Sequence, residues 1–250
     1  MSSPGASCTE IWLDRPVFAF SVDTDWAPVE LIEELLGLFE SRGIRVTVFV
    51  TDSVLGIDRD RHELAMHPNI TDISDIQPEL RRLARLVGEV HGERGHGLIQ
   101  SYRHLAEFAR HGIRYTSNYV LFNQAGIQPV MLTPEILELP IFWMDYIHLE
   151  MYAGDPDSFH CDYLDLASPG LKIFDIHPHH YFLNTTSLSH YERARDKYKD
   201  VAVLEALSVP ESEGHGCRYL LSGVLDWITD HDACVMTLGE INDAQRATRG

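Results

Sequence analysis

Short apolar runs alternate along the chain with segments whose apolar residues recur every three to four positions. Residues 16–22 (PVFAFSV) and 44–50 (IRVTVFV) read as strands. Between them, 28–43 (PVELIEELLGLFESRG) carries a helical stripe that Gly43 stops. The same alternation continues with a short strand at 62–67 (HELAMH), a helix at 77–88, a short strand at 89–92 (EVHG) and a helix at 99–112, followed by an extended run at 113–122. Strands are predicted again at 127–132, 139–144 (LPIFWM) and 171–176 (LKIFDI), then a helix at 218–231, a last strand at 233–238 and a short polar tail. Two polar stretches, at about 150–170 and 184–215, break the rhythm and are expected to be loop-rich insertions.

Strands alternating with helices imply βαβ units and a parallel sheet. About eight strand candidates in a chain of this length favour a sheet curled into a barrel over an open one. A single catalytic domain is expected over residues 1–250, with about 15 N-terminal and about 8 C-terminal residues loose. In such barrels the functional groups lie just past the C-terminal ends of strands. Here those ends carry Asp23 and Asp25, then His67, Arg94 and His96, Asp145, and His177.

Composition narrows the partners. Lys and Arg number 20 against 38 Asp and Glu, a formal net charge of −18, which argues against nucleic acid or an anionic membrane as partner. The four cysteines form no CxxC pair and suggest no disulfide framework. The first ten residues, MSSPGASCTE, have neither the basic nor the apolar region of a signal peptide, and no apolar run approaches a membrane span. A cytoplasmic protein is expected.

Histidine is abundant, with 14 residues. Two aspartates one residue apart at a strand end, Asp23 and Asp25, would share one face if the chain stayed extended. Two carboxylates in one small space require a proton or a cation between them. The alternative is that Asp25 caps the helix that opens near Pro28 while Asp23 is solvated. His62 and His67 are five residues apart, an odd offset that turns them to opposite faces, so His67 is the better ligand candidate and His62 a structural residue. In HPHHYF, His177 reads as functional, His180 as a possible participant and His179 as a surface residue.

In this order, FSVDTDWAP, VTVFVT, HELAMHPN, GERGHG, FDIHPHHYFLN and CVMTLGEI resemble the motifs of the polysaccharide deacetylases, the NodB-homology or carbohydrate esterase family four fold. The likeness runs from about Phe18 to Ile241 and is greatest to members from O-antigen and other sugar-modification clusters. It implies a distorted (β/α)7–8 barrel and a divalent metal ion, usually Zn2+. By this match Asp23 is the general base and Asp25 a metal ligand. His67 corresponds to the first metal histidine, Arg94 to the arginine that orients the base, Asp145 to the fourth motif, and His177 to the general acid. The family's second metal histidine would fall at Thr71. His96 is the substitute chosen here and His180 the second choice; weak or absent metal binding is the third possibility.

The resemblance implies an N-deacetylase acting on an amide, with metal-activated water as nucleophile, Asp23 taking its proton and His177 protonating the departing amine. Trp26 and Trp143, beside the rim motifs, are candidates to contact a sugar ring, with His180. The expected substrate is a small amino-sugar or glycoside, more readily neutral or cationic than an anionic polymer. The same groups would serve a cyclic amide hydrolase or a deformylase, and loss of a ligand would leave a catalytically degenerate sugar-binding protein.

Overall fold

A computed structural model describes residues 10–70, 75–152 and 155–248. The strands are β1 (Pro16–Asp23), β2 (Thr47–Val50), β3 (Glu63–Met66), β4 (Gly92–Glu93), β5 (Tyr115–Thr116), β6 (Val130–Met131), β7 (Leu137–Glu138), β8 (Trp143–Met144), β9 (Gly170–Ile176) and β10 (Cys234–Val235). The helices are α1 (Val29–Ser41), α2 (Gln77–Val87), α3 (Tyr102–Arg110), α4 (Asp145–Tyr152), α5 (Pro178–Leu183), α6 (Leu188–Arg195), α7 (Val201–Leu207), α8 (Cys217–Asp230) and α9 (Leu238–Ala247).

The strands form one sheet in the order β6-β7-β5-β4-β3-β2-β1-β9-β8, with β10 also paired to β1. All pairings are parallel except β6 with β7. β1 lies between β2 and β9, bonded to β9 in register from Pro16↔Gly170 to Val22↔Ile176. Its residues from Val17 to Asp23 are all buried, as expected of a parallel strand covered on both faces.

The extended run containing β7 and β8 curls the sheet back on itself. Leu137 N–H donates to the Arg114 carbonyl and Leu139 N–H to that of Thr116, while Phe142 N–H donates to the Ile173 carbonyl. One run thus joins the β5 side to the β9 side, and the result is the distorted barrel expected from the alternation of elements. The C-terminal ends of β1, β3, β4, β8 and β9 meet at one mouth. No helix among the described residues is long and apolar enough to cross a membrane.

Three expectations are corrected. The strand read at 89–92 pairs at Gly92–Glu93 instead, because the His91 carbonyl is the first to accept from the neighbouring segment, from Arg114 and Tyr115 N–H. The tail is not a loose polar segment: α9 starts in a capping box of Thr237 and Glu240 and buries Leu238 and Ile241. The half-buried Glu63 carboxylate at the start of β3 accepts from Gly239 N–H at 2.9 Å, a favourable place for an anion at a helix start. At the other end Trp12 is buried and Gln245 donates to the Glu10 carboxylate at 3.1 Å, so the chain is packed from residue 10. Finally, 184–215 contains α6 and α7, capped by the Ser187 and Asp200 side chains, whose Ala194 and Leu204 join Leu31, Phe182 and Leu183 in a separate apolar cluster. Residues 155–169 are irregular, with short 3-10 turns at Pro156–Phe159 and Cys161–Tyr163.

Candidate active site

β1 delivers Asp23, which is 2% exposed, to the barrel mouth and ends there. The next turn is not extended: Asp25 and Trp26 have φ of 41° and 57°. The alternation that would put Asp23 and Asp25 on one face therefore does not apply, and a left-handed turn brings the second carboxylate over the mouth. Such backbone costs non-glycine residues about 1–2 kcal/mol each, so the surrounding contacts must hold it. Nor does Asp25 cap α1, whose N-cap is Pro28 with no side-chain bond.

Two imidazoles converge on Asp25. His67 Nε2 and His96 Nδ1 each lie 3.0 Å from Asp25 Oδ1. His67 Nδ1–H donates to the Arg94 carbonyl at 2.7 Å, which aims Nε2 at the carboxylate. That arrangement of one ring nitrogen on a carbonyl and the other directed inward is usual for a metal-ligating histidine. His96 follows Gly95, where an added Cβ would lie 2.3 Å from the Ile99 carbonyl oxygen, so only glycine permits this tight turn. Burial alone would raise the Asp25 carboxyl, but hydrogen bonds from His67 and His96 and the charge of His177 hold it well below the usual carboxylate range. Burial likewise opposes charge on His67, yet Asp23 and Asp25 raise it to about 9.

The donor set fits a divalent cation. Ligand atoms of Asp25, His67 and His96 all lie within 4.8 Å of one another. A tetrahedral zinc site with bonds of about 2.0–2.1 Å has ligand edges of about 3.3 Å, close to the 3.0 Å separations found here. Asp23, Asp175 and His177 form a second close group. There, however, the Arg94 guanidinium already supplies the positive charge between the two carboxylates.

Arg94 is fully buried. Its Nη1 donates to Asp23 Oδ1 at 2.8 Å, Asp175 Oδ1 at 2.5 Å and Ser21 Oγ at 2.8 Å. Its Nε donates to the Ser117 carbonyl and its Nη2 to Ser117 Oγ, and Phe49 lies under the guanidinium at 4.2 Å. Asp23 is thereby held rigidly by a charge-assisted bond. Asp175 was missed in the sequence. It stands two residues before His177 on β9, and strand alternation could have placed both on one face. Burial, reinforced by the nearby Asp23 charge and only partly offset by Arg94, raises Asp175 to about 7.

His177 faces the cavity from the opposite side, its Nε2 3.5 Å from Asp25 Oδ2. The Asp145 carboxylate grips it twice, accepting from Nδ1–H at 2.7 Å and from the backbone N–H at 2.7 Å. Burial opposes charge on His177, but Asp145 first, then Asp25 and Asp175, raise its proton affinity well above an ordinary histidine. Asp145 is fully buried, so it positions His177 and does not itself reach the cavity.

Asp23, Asp25, His96 and His177 border a cavity of about 550 Å³, a size suited to a small ligand. A hollow of about 480 Å³ near Thr237 and Asp232 lies at the other end of β1 and has no histidine in its lining. Trp26 lines the larger cavity and meets the His96 ring edge-on at 5.0 Å. His180 lines it too, with Nδ1 3.2 Å from Thr185 Oγ1 and no part in the Asp25 cluster.

Trp143 is corrected as a sugar contact: it is 1% exposed, packs on Phe174 and donates from Nε1 to His148 Nδ1 at 3.2 Å. Its position on β8 turns it into the wall behind the site. His179 is corrected from a surface residue to a buried one on the cavity wall. His62 is structural, accepting from Val46 N–H. Thr71 lies outside the described residues. The insertion at 184–215 also contributes Tyr191, Arg195, Asp196 and Tyr198, which no motif indicated.

Residues 20–195 match the family model described as WbmS-like polysaccharide deacetylase. The fold is similar to that of a Bordetella bronchiseptica protein assigned as a polysaccharide deacetylase involved in O-antigen biosynthesis, with 25% identity, 84% of this chain and 90% of that chain covered, and a TM-score of 0.73. It is also similar to a protein of Mycobacterium smegmatis assigned as a polysaccharide deacetylase, with 16% identity, 100% and 94% covered, and a TM-score of 0.58; that likeness bears on the fold alone. No curated protein matches the chain significantly.

Proposed function

The chain belongs to the WbmS-like polysaccharide deacetylase family, and on that premise we propose that it is a cytoplasmic, metal-dependent hydrolase that removes an acyl group, acetyl first of all, from the amide nitrogen of a small amino-sugar or sugar-containing metabolite. The observation that carries this reading is the meeting of Asp25, His67 and His96 at a cavity that Asp23 and His177 also border.

Asp25, His67 and His96 would hold the cation, zinc being the ion their mixed nitrogen and oxygen donors suit. When bound, it would lower the pKa of a coordinated water towards ~7 and polarise the amide carbonyl. Asp23 takes the proton of the attacking water. Arg94 fixes that carboxylate in place, with Asp175 sharing the same guanidinium nitrogen. His177, with Nδ1–H on Asp145, offers the proton on Nε2 to the departing amine, which is a poor leaving group without it. Trp26 shapes the wall beside the reacting groups. The 550 Å³ cavity, flanked by α6, suits a single sugar better than a groove for an extended polymer.

Elemental analysis combined with acetate release from N-acetylated sugars tests the proposal. About one equivalent of a divalent ion and metal-dependent acetate release are expected. A protein that takes up no divalent ion at micromolar concentration and releases no acetate would rule the reading out.

A further inference from the structure

The cavity has a far wall that the hydrolytic groups do not use. It is built from α6, the segment after it, and His179 of α5. Tyr191 and Arg195 are four residues apart on α6 and so share one helical face. Tyr191 packs against His180 with ring centroids 4.6 Å apart, and His180 lies 5.8 Å from His177. Arg195 stands one helical turn, about 6 Å, beyond Tyr191. A ligand presenting its amide to His177 would therefore extend along this face towards Arg195.

Two groups on this wall have capacity to spare. Arg195, exposed at the cavity rim, is the one Arg or Lys lining the cavity among the described residues, and no protein hydrogen bond or ion pair engages it there. His179 is 6% exposed and its Nε2 is buried without a hydrogen-bond partner. A buried polar atom left unpaired carries a cost that a ligand hydroxyl donating to it would relieve. Burial lowers His179 to about 4, so it meets a ligand as a neutral imidazole whose one N–H faces the Tyr198 backbone carbonyl, which leaves Nε2 as an acceptor. Acidic residues are present as well: Asp23 and Asp25 line the cavity at its hydrolytic end and Asp196 beside Arg195, and Glu150 and Glu192 lie near Tyr146. None of them bonds to Arg195, and with the whole chain at −18 they leave its guanidinium as the local site for negative charge.

We propose that this wall is an anion subsite, in which Arg195 receives a single carboxylate or phosphate group carried by the N-acylated sugar while His179 Nε2 accepts from a neighbouring sugar hydroxyl. This rests on the reading of the site as an N-deacylase and revises the expectation of a neutral or cationic substrate. The guanidinium fork matches either oxyanion with two parallel hydrogen bonds. The acidic surface disfavours a polymer bearing many negative charges, whereas one negative group on a small sugar is read locally, within a Debye length of Arg195.

The test compares kcat/KM of the metal-loaded protein on N-acetylglucosamine, N-acetylglucosamine 6-phosphate and an N-acetylated amino-uronic acid. The wild type should prefer at least one of the anionic sugars about tenfold or more, and the arm that wins identifies phosphate or carboxylate. Arg195→Gln should reduce that ratio to near one and Arg195→Lys should restore part of it. Arg193→Gln, an exposed residue outside the cavity lining, removes the same charge two positions away and should leave the ratio intact. A wild-type preference for the neutral sugar, or a ratio unchanged in Arg195→Gln, overturns the subsite. If no sugar is turned over, the deacylase reading fails separately. The subsite is then judged by binding of the same sugars, followed through Trp26 fluorescence: tighter binding of an anionic sugar by the wild type than by Arg195→Gln supports it, and equal binding refutes it.

Discussion

The sharpest prediction concerns Asp145→Asn. Asp145 accepts two 2.7 Å bonds from His177, one from the ring and one from the backbone, and is wholly buried. Asparagine has nearly the same shape but one acceptor oxygen and one donor NH2. It can keep only one of the two bonds, and the other N–H of His177 faces a donor. Losing one charge-assisted bond weakens the protonated imidazole by about 1.5–3 kcal/mol, equivalent to a fall of about 1–2 pH units in the proton affinity of His177. The sign follows from its role. A general acid must hold its proton, so activity is present below the pKa of His177 and lost as pH rises through it. Asp145 raises that pKa, and the variant moves the basic limb to lower pH. With loss of orientation added, kcat/KM should fall about 10²–10⁴-fold, the usual contribution of general acid catalysis. The assay is a pH–rate profile of acetate release by both proteins, with circular dichroism confirming the fold and metal content measured alongside. A variant within threefold of the parent, with the same basic limb, would refute both the role of His177 and the argument from its two bonds.

Asp23→Asn should abolish turnover, a loss of at least about 10³-fold, while metal content stays near that of the parent; retained activity would remove Asp23 from its role. His67→Ala should lose the metal, and His96→Ala should weaken its binding strongly; equilibrium dialysis checks both, and unchanged affinity in the second would strike His96 from the ligand set. Gly95→Ala places a Cβ 2.3 Å from the Ile99 carbonyl, so the His96 turn must shift, with weaker metal affinity and a lower Tm. Burial raises Glu93 to about 8, so the folded state keeps a proton that the unfolded chain releases near 4.5. That contribution is intact below about 4.5 and lost as pH rises to about 8, at up to about 1.4 kcal/mol per pH unit. Urea unfolding at pH 5 and 8 should show the decline, and Glu93→Gln should flatten it.

Much of the framework was legible in the linear pattern, because strands and helices follow local periodicity. The run PVFAFSV could only be a buried strand, and the parallel barrel follows from its alternation with helical stripes. Asp23, Asp25, His67, Arg94, His96, Asp145 and His177 were legible for a related reason: each lies at or within a few residues of the end of a strand candidate, and a parallel barrel gathers such ends at one mouth. The tertiary structure alone decided what the mouth does with them. The left-handed turn at Asp25 replaced the alternation that seemed to pair it with Asp23. The Arg94 fork chose Asp175 as a second carboxylate from across 81 residues. Trp143 and His179 are both buried, the first in the wall behind the site and the second on the wall of the cavity. The polar stretch at 184–215 became helices whose Arg195 reaches the cavity. Periodicity is a property of neighbours along the chain and reports which face of an element is buried. Which side chain meets which at the end of that element depends on sheet register and on turns without a repeat, and these are settled only when distant segments pack.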